Sequence, residues 1–202
     1  NTFLGMNFTS VFNSTIANNT ATNNTNYGVA FSSSTNNTVA GTTLINNSYG
    51  VYITGGENNT FSNNNLVNNT AFGFYLQASA NNNTLFNNNV SANASIASSA
   101  TAAFYLGSSG NRLYNNSAEV ISNGFFINNS AAYNNLTNNT AINNTFAGFN
   151  LTSANSNIIN NNFVRGAQSF GFSVGAISNN NNISNNSVYN NSQGFYVFNN
   201  NN

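Results

Sequence analysis

The 202-residue sequence has very few charged side chains and lacks several residue types altogether. Lys and Arg together number two, Asp and Glu together number two, and Cys, His, Pro and Trp are absent. Without His or Cys, and with a single Met, the chain has no usual ligand set for zinc, copper, haem or an iron–sulfur cluster. Hydrolysis by Ser-His-Asp or Cys-His arrangements is excluded for the same reason. We therefore predict that the protein has no cofactor.

The low charge also limits the partners of the protein. The net charge is zero and the four charged residues are scattered, so nothing attracts nucleic acid or an anionic membrane surface. No run approaches the roughly 18 apolar residues of a membrane span, so we predict no membrane insertion. The start, Asn1-Thr2-Phe3-Leu4, lacks the features of a signal peptide and indicates a mature chain or a fragment.

Asn and aromatic residues are abundant instead. Asn accounts for 56 residues, and 18 Phe and 9 Tyr make the chain 13% aromatic. Asn-rich tracts are often disordered, but disordered segments have few aromatics and no periodicity. The aromatics here recur in register, which argues against disorder.

The repeat begins with Gly, followed by two apolar residues separated by one residue. It starts at Gly5, Gly28, Gly50, Gly73, Ala103, Gly124, Gly148, Gly171 and Gly194. The interval is about 21–24 residues, broken once by about 30, which is the range of a solenoid. We expect a loop near residues 91–102 to account for the longer interval.

Two further short apolar segments recur within each period, separated by runs of Asn, Ser, Thr and Gly. The first is centred on Ile16, Val39, Phe61, Leu85, Leu113, Leu136, Ile158 and Ile183. The second includes Leu44-Ile45, Leu66-Val67 and Val188-Tyr189. Three short strands per period predict an all-β fold: one parallel β-helix domain over residues 1–202, with about nine rungs of about 23 residues.

The residue types suit such a solenoid. Asn accepts the left-handed conformation of tight turns, and stacked Asn side chains form amide ladders. Gly before the first strand allows a sharp corner without a Cβ. The second and fourth residues of each repeat would point inward and stack like on like, from Phe74 through Phe104 to Phe195 in one column.

The repeat phrase Gly50-Val51-Tyr52-Ile53-Thr54, followed by Asn58-Asn59-Thr60-Phe61-Ser62-Asn63-Asn64, resembles the right-handed β-helix repeats of NosD-like and pectate-lyase-superfamily proteins. The resemblance implies right-handedness. Active members of these families cleave polysaccharides with carboxylate clusters and Arg or Lys, often with calcium, and NosD-like periplasmic members are linked to copper maturation. This sequence carries neither residue set. It also resembles Asn/Thr-rich surface-layer, adhesin and filament proteins, which implies an extracellular or cell-surface location.

Cleavage of a glycosidic bond needs two carboxylates a few ångströms apart. Glu57 and Glu119 fall in different rungs, more than two rungs apart. We therefore predict that the protein is not an enzyme, with a polysaccharide lyase or hydrolase as a remote alternative.

One column of the first strand would face outward and be aromatic: Tyr52, Tyr75, Tyr105, Phe126 and, later, Tyr196. An exposed aromatic column can stack on sugars or pack against another subunit. Alternatively, it only stabilises the sheet, since strands favour aromatic residues.

Asn-x-Ser/Thr sequons also fall in columns, and the best placed are Asn23, Asn46, Asn68, Asn143 and Asn190. A turn that favours Asn and Thr produces such sequons without any glycan. Glycans on adjacent rungs would collide at about 4.8 Å spacing, so we expect partial occupancy.

The repeat occupies nearly the whole chain, so strand edges at its ends are predicted to pair with another copy or with more of a longer solenoid. We therefore predict an extracellular structural protein that self-associates into a filament, sheath or surface layer and is partly N-glycosylated. A carbohydrate-binding adhesin module is the alternative.

Overall fold

The computed structural model describes residues 3–92 and 100–198. Within those residues, three parallel sheets wind around one axis, and each strand pairs with its equivalent one rung away. Sheet 1 consists of Leu4–Thr9, Tyr27–Ser32, Tyr49–Thr54, Phe72–Leu76, Ala102–Leu106, Asn123–Ile127, Ala147–Leu151, Phe170–Val174 and Gln193–Val197.

The other two sheets are built from three-residue strands. Sheet 2 consists of Thr15–Ala17, Thr38–Ala40, Thr60–Ser62, Thr84–Phe86, Arg112–Tyr114, Asn135–Thr137, Ile158–Asn160 and Asn182–Ser184. Sheet 3 consists of Thr20–Thr22, Thr43–Ile45, Asn65–Val67, Asn89–Ser91, Ser117–Glu119, Thr140–Ile142, Phe163–Arg165 and Ser187–Tyr189. Nine strands in sheet 1 and eight in each of the others confirm the predicted all-β parallel β-helix of about nine rungs. The predicted loop near 91–102 falls largely on residues 93–99, outside the described residues.

The core is a stack of identical side chains, as predicted. Phe74, Phe104, Phe125, Phe149, Phe172 and Phe195 form one column, with successive ring centroids 4.7 to 5.3 Å apart and the rings nearly parallel. The first five are fully buried. Offset-stacked rings at this spacing add about 0.5–1.5 kcal/mol per pair beyond the area they bury.

One predicted core position in sheet 2 is wrong. Ile159, not Ile158, pairs with Leu136 and is fully buried, whereas Ile158 is 44% exposed. An alternating pattern of apolar and polar residues cannot show which of two adjacent isoleucines faces the core. The register is set by the corner, because in the sheet 2 strands from Thr38–Ala40 to Ile158–Asn160 the inward residue comes two places after a buried Asn, here Asn157.

The two residues of each Asn-Asn doublet at a corner have different roles. Asn138 is exposed with a φ of 56°, and Asn139 behind it is fully buried. The Asn139 backbone N–H and Nδ2 donate to Asn162 Oδ1, while its own Oδ1 accepts from the backbone N–H and Nδ2 of Asn116. The predicted left-handed turns and amide ladders are therefore both confirmed.

The doublets build two long amide ladders through the rod. One contains Asn37, Asn59, Asn83, Asn111, Asn134, Asn157 and Asn181, and the other Asn64, Asn88, Asn116, Asn139, Asn162 and Asn186. A third ladder joins Asn24, Asn47 and Asn69 at the remaining corner. These bonds satisfy buried amide groups that would otherwise each cost about 1–3 kcal/mol.

The repeat glycines serve a different purpose from the one predicted. Gly73 and Gly148 do not have a positive φ. Each lies against the backbone of the next strand of sheet 1 and against a valine side chain of sheet 3. A Cβ on Gly148 would lie 2.4 Å from Val164 Cγ1 and 2.8 Å from the Gly171 carbonyl oxygen. Glycine is required here for close packing, not for a left-handed corner.

Candidate functional site: the outward face of sheet 1

The predicted aromatic column lies in register on the outer face of sheet 1. Tyr52, Tyr75, Tyr105 and Phe126 occupy equivalent positions in successive strands. The rings of Tyr52 and Tyr75 lie 5.6 Å apart, those of Tyr75 and Tyr105 4.5 Å apart, and both pairs are nearly parallel. Phe126 meets Tyr105 edge-on at 5.4 Å.

Exposure along this column differs from the prediction. Tyr52 and Tyr75 are half-buried and Tyr196 is 39% exposed, but Tyr105 and Phe126 are only 6% and 8% exposed. The expectation of an exposed column is therefore wrong for Tyr105 and Phe126. Among the described residues, they form a small apolar cluster with Ala102, packed against Phe72 and Tyr75.

A second aromatic column lies beside the first and was missed in the sequence. Tyr27, Tyr49 and Phe72 are paired at the first position of their sheet 1 strands. Tyr27 stacks on Tyr52 at 4.5 Å, and Tyr49 lies edge-on to Tyr52 at 5.6 Å. The signal was available, because each of these residues directly precedes a repeat glycine.

The pKa values of three tyrosines of this face, Tyr49, Tyr52 and Tyr105, are raised above the ordinary value of 10.0. Burial raises the pKa of Tyr105 to about 12, with a further contribution from Tyr75. Burial, followed by the neighbouring tyrosines, also raises the pKa of Tyr49 and of Tyr52. Asn129 Nδ2 donates a 2.7 Å hydrogen bond to the Tyr105 hydroxyl. The face thus offers rings and neutral hydroxyls, without charge.

Small residues interrupt the first column and leave a groove. Asn150 and Ser173 stand between Phe126 and Tyr196 in the register. The groove above them has a volume of about 420 Å³, and Phe146, Phe170 and Thr152 also line it. A second groove of about 360 Å³ lies at the other end of the face, above Ala30 and beside Tyr27 and Tyr52.

The charged residues do not form a site. Glu57 lies at the corner after a sheet 1 strand, and Glu119 is the last residue of a sheet 3 strand. Arg112 is exposed, and its guanidinium lies 4.5 Å above the Tyr114 ring. Across residues 3–92 and 100–198, no three His, Cys, Asp or Glu side chains cluster in a way that could hold a metal ion.

The candidate glycosylation residues all lie at left-handed corners. Asn23, Asn46, Asn143 and Asn190 are exposed and Asn68 is half-buried, with φ values of 51–56°. Asn46 Nδ2 donates a 3.1 Å hydrogen bond to Asn23 Oδ1, so these two amides on adjacent rungs already contact each other. Asn143 and Asn190 are better separated, because Gly166 occupies the equivalent corner between them.

The winding, the three sheets and the stacked core define a right-handed parallel β-helix, and family comparisons agree. A model described as "Right handed beta helix region" matches residues 1–118. A model described as "Periplasmic copper-binding protein (NosD)" matches residues 90–202. Each covers more than half of the chain, so the protein belongs to the right-handed β-helix proteins and, among them, to the NosD family. No curated protein matched the sequence.

The NosD match bears on location and on copper. Its description is that of a periplasmic protein, which indicates a place outside the cytoplasm for this chain. The residues do not fit copper, however: imidazole and thiolate ligands are absent, and Met6 is the single thioether. Where the fold is described, no helix is long and apolar enough to cross a membrane.

Proposed function

We propose that this protein is a non-enzymatic structural protein of the cell exterior, part of a filament, sheath or surface layer. Copies pack side by side through the outer face of sheet 1. The observation that carries the proposal is the stacked pair Tyr52 and Tyr75, half-buried on the outer face of sheet 1 and flanked by Tyr27, Tyr49 and Phe72. Exposed aromatic patches of this kind are typical of protein contact surfaces.

The rest of the molecule favours such packing. The rod carries four charged residues, so little electrostatic repulsion opposes the approach of a second copy. Its buried amides bond to the rungs above and below, which makes the lateral faces rigid platforms. A rigid surface loses little conformational entropy when it associates.

Lateral assembly is tested by replacing both half-exposed rings. We expect the wild type to associate with rising concentration in analytical ultracentrifugation, and Tyr52→Ser with Tyr75→Ser to weaken association by about tenfold or more, or about 1.4 kcal/mol. Tyr133→Ser is the matched control, because Tyr133 is 74% exposed at the corner between sheets 1 and 2 and is not part of either aromatic column. A wild type that stays monomeric at every concentration would contradict the proposal.

End-to-end growth is a separate part of the proposal. The predicted pairing of strand edges would lengthen the rods, whereas ring contacts would thicken them. Negative-stain electron microscopy separates the two, since the double variant should lose bundles and keep any single-rod filaments.

Partial N-glycosylation completes the proposal. We expect glycans at Asn143 and Asn190, whose corners are exposed and separated by a rung, and at no more than one of Asn23 and Asn46. Glycopeptide mass spectrometry of the native material measures the occupancy. A native mass equal to that of the bare polypeptide contradicts this part.

A carbohydrate-binding adhesin is the second candidate. The groove over Asn150 and Ser173 favours it, since that groove combines aromatic walls with a polar floor.

A further inference from the structure

The groove on sheet 1 is bounded by aromatic rings on three sides. Phe126 and Tyr196 stand at its two ends, three rungs or about 14 Å apart. Phe146 and Phe170 form one long wall, edge to face at 5.4 Å, and Phe170 stacks on Tyr196 at 4.8 Å. The volume of about 420 Å³ lies within the range of small-ligand sites, about 300–1,000 Å³.

The floor of the groove is polar and offers unused hydrogen-bonding capacity. Ser173 is only 5% exposed, and it lines the floor of the groove. Asn150 Nδ2 donates to Asn123 Oδ1 at 3.1 Å, which holds the amide in place and leaves its second N–H available. A serine hydroxyl can both donate and accept a hydrogen bond, so Ser173 on the groove floor marks a position where a ligand group would bond.

The lining also selects the chemistry of the occupant. None of the four charged residues lines the groove, so a phosphate or carboxylate would lose hydration without gaining a counter-ion. A purely apolar occupant would cover Ser173 and Asn150 without satisfying them, which is also unfavourable. A neutral sugar has an apolar ring face for the aromatic walls and hydroxyls for the floor.

We propose that this groove binds a neutral glycan, with a sugar ring against Tyr196 and Phe170 and its hydroxyls bonded to Ser173 and Asn150. The proposal rests on the second candidate function, which the same groove favours. The site differs from the Tyr52 and Tyr75 contact surface and does not depend on assembly. A chain that never assembles can still bind the glycan, and an assembling chain can fail to bind it.

The test uses the full chain and isothermal titration calorimetry. The probes are neutral hexasaccharides of glucose, mannose and N-acetylglucosamine, with oligogalacturonate as the acidic comparison. We expect at least one neutral probe to bind and oligogalacturonate not to bind. Binding should change less than about twofold between about 50 and 500 mM NaCl, because no ion pair contributes.

Two variants locate the ligand. Ser173→Tyr places a ring on the groove floor in a column where Tyr52, Tyr75 and Tyr196 are already accepted, so we expect an unchanged melting temperature and no binding. Tyr196→Ser should weaken binding by about tenfold, and Tyr133→Ser should leave it unchanged.

Three results would overturn the proposal. The first is no binding of any neutral probe by the wild type, and the second is unchanged binding by Ser173→Tyr. The third is a monomer–dimer equilibrium that Ser173→Tyr abolishes, which would assign the groove to a second copy of the chain.

Discussion

The amide ladders make a sharp quantitative prediction at Asn139, in the middle of the rod. Replacing Asn139 with Ala removes the acceptor for two donors of Asn116, its backbone N–H and its Nδ2. It also removes the donor to the Leu113 carbonyl oxygen, 3.0 Å away. All of these groups are shielded from water, since Asn116 is 1% exposed and Leu113 is fully buried.

The expected cost follows from the groups left unpaired. A buried donor or acceptor without a partner costs about 1–3 kcal/mol. The Asn116 backbone N–H loses its side-chain acceptor, while Asn116 Nδ2 still donates to Leu85 and the Leu113 oxygen loses one donor. We therefore expect Asn139→Ala to lower the free energy of unfolding by about 3–5 kcal/mol.

Urea unfolding followed by far-ultraviolet circular dichroism measures this change. Asn138→Gly is the matched control: Asn138 belongs to the same doublet, but it is exposed, has a φ of 56°, and should tolerate glycine within about 0.5 kcal/mol. Hydrogen exchange adds a local readout, since the Asn116 amide should exchange faster in Asn139→Ala.

The stability of the Asn139→Asp variant should depend on pH for a related reason. Burial should raise the pKa of the new carboxyl above its usual value of about 3.9, because the charged form would face the Leu113 and Asn162 oxygens. The variant should therefore be least stable near neutral pH and recover toward about pH 4. The wild type, which has an amide at this position, supplies the reference profile over the same range. A cost below about 1 kcal/mol for Asn139→Ala, or a flat profile for Asn139→Asp, would refute the ladder as a main source of stability.

Three further predictions concern the packing, a corner and the tyrosine face. Gly148→Ala should cost more than about 2 kcal/mol, because the new Cβ would overlap Val164. Gly55→Asn, at a φ of +61° and with a Cβ in ordinary van der Waals contact with Ser33, should cost less than about 0.5 kcal/mol in the same urea assay. Val120→Asn should stabilise the protein by about 1 kcal/mol in urea unfolding, because a β-branched residue at a φ of 53° is strained and Asn is not. Stability should fall as the pH rises from about 10, the ordinary tyrosine pKa, to about 12, that of folded Tyr105, since the unfolded state loses the proton first. The melting temperature of Tyr105→Phe should decline less over that interval, and equal declines would contradict the assignment.

Repetition made most of the fold predictable from the sequence. A column such as Phe104, Phe125 and Phe149 appears as one residue type at a fixed interval, and a parallel β-helix converts that interval directly into contact. The same property located the Tyr52 and Tyr75 column. Neither inference needed long-range information, because every partner lies one period away.

Features that depend on packing between rungs were less predictable. Burial of Tyr105 and Phe126 depends on what covers the outer face of sheet 1, which the alternation of a strand does not reveal. A hydrophobic pattern does not distinguish Ile158 from Ile159, and only the position of the Asn ladder shows which of them is buried. The groove over Ser173 forms because small residues replace aromatic rings in one column. It could be recognised only after the structure had placed the neighbouring aromatic walls beside that gap.

Because of the Asn doublets, the number of rungs can change without a change of fold. A ladder amide such as Asn139 bonds to the equivalent residues immediately above and below, Asn116 and Asn162, and to the Leu113 carbonyl oxygen in a neighbouring rung. Inserting or deleting one whole period therefore rejoins every ladder, every ring stack and every strand pair with partners of the same kind. Duplication of the part of the gene that encodes one period of about 23 residues would lengthen the rod by about 4.8 Å without creating a new kind of contact. Such a protein can be fitted in evolution to the thickness of whatever it must span, one rung at a time.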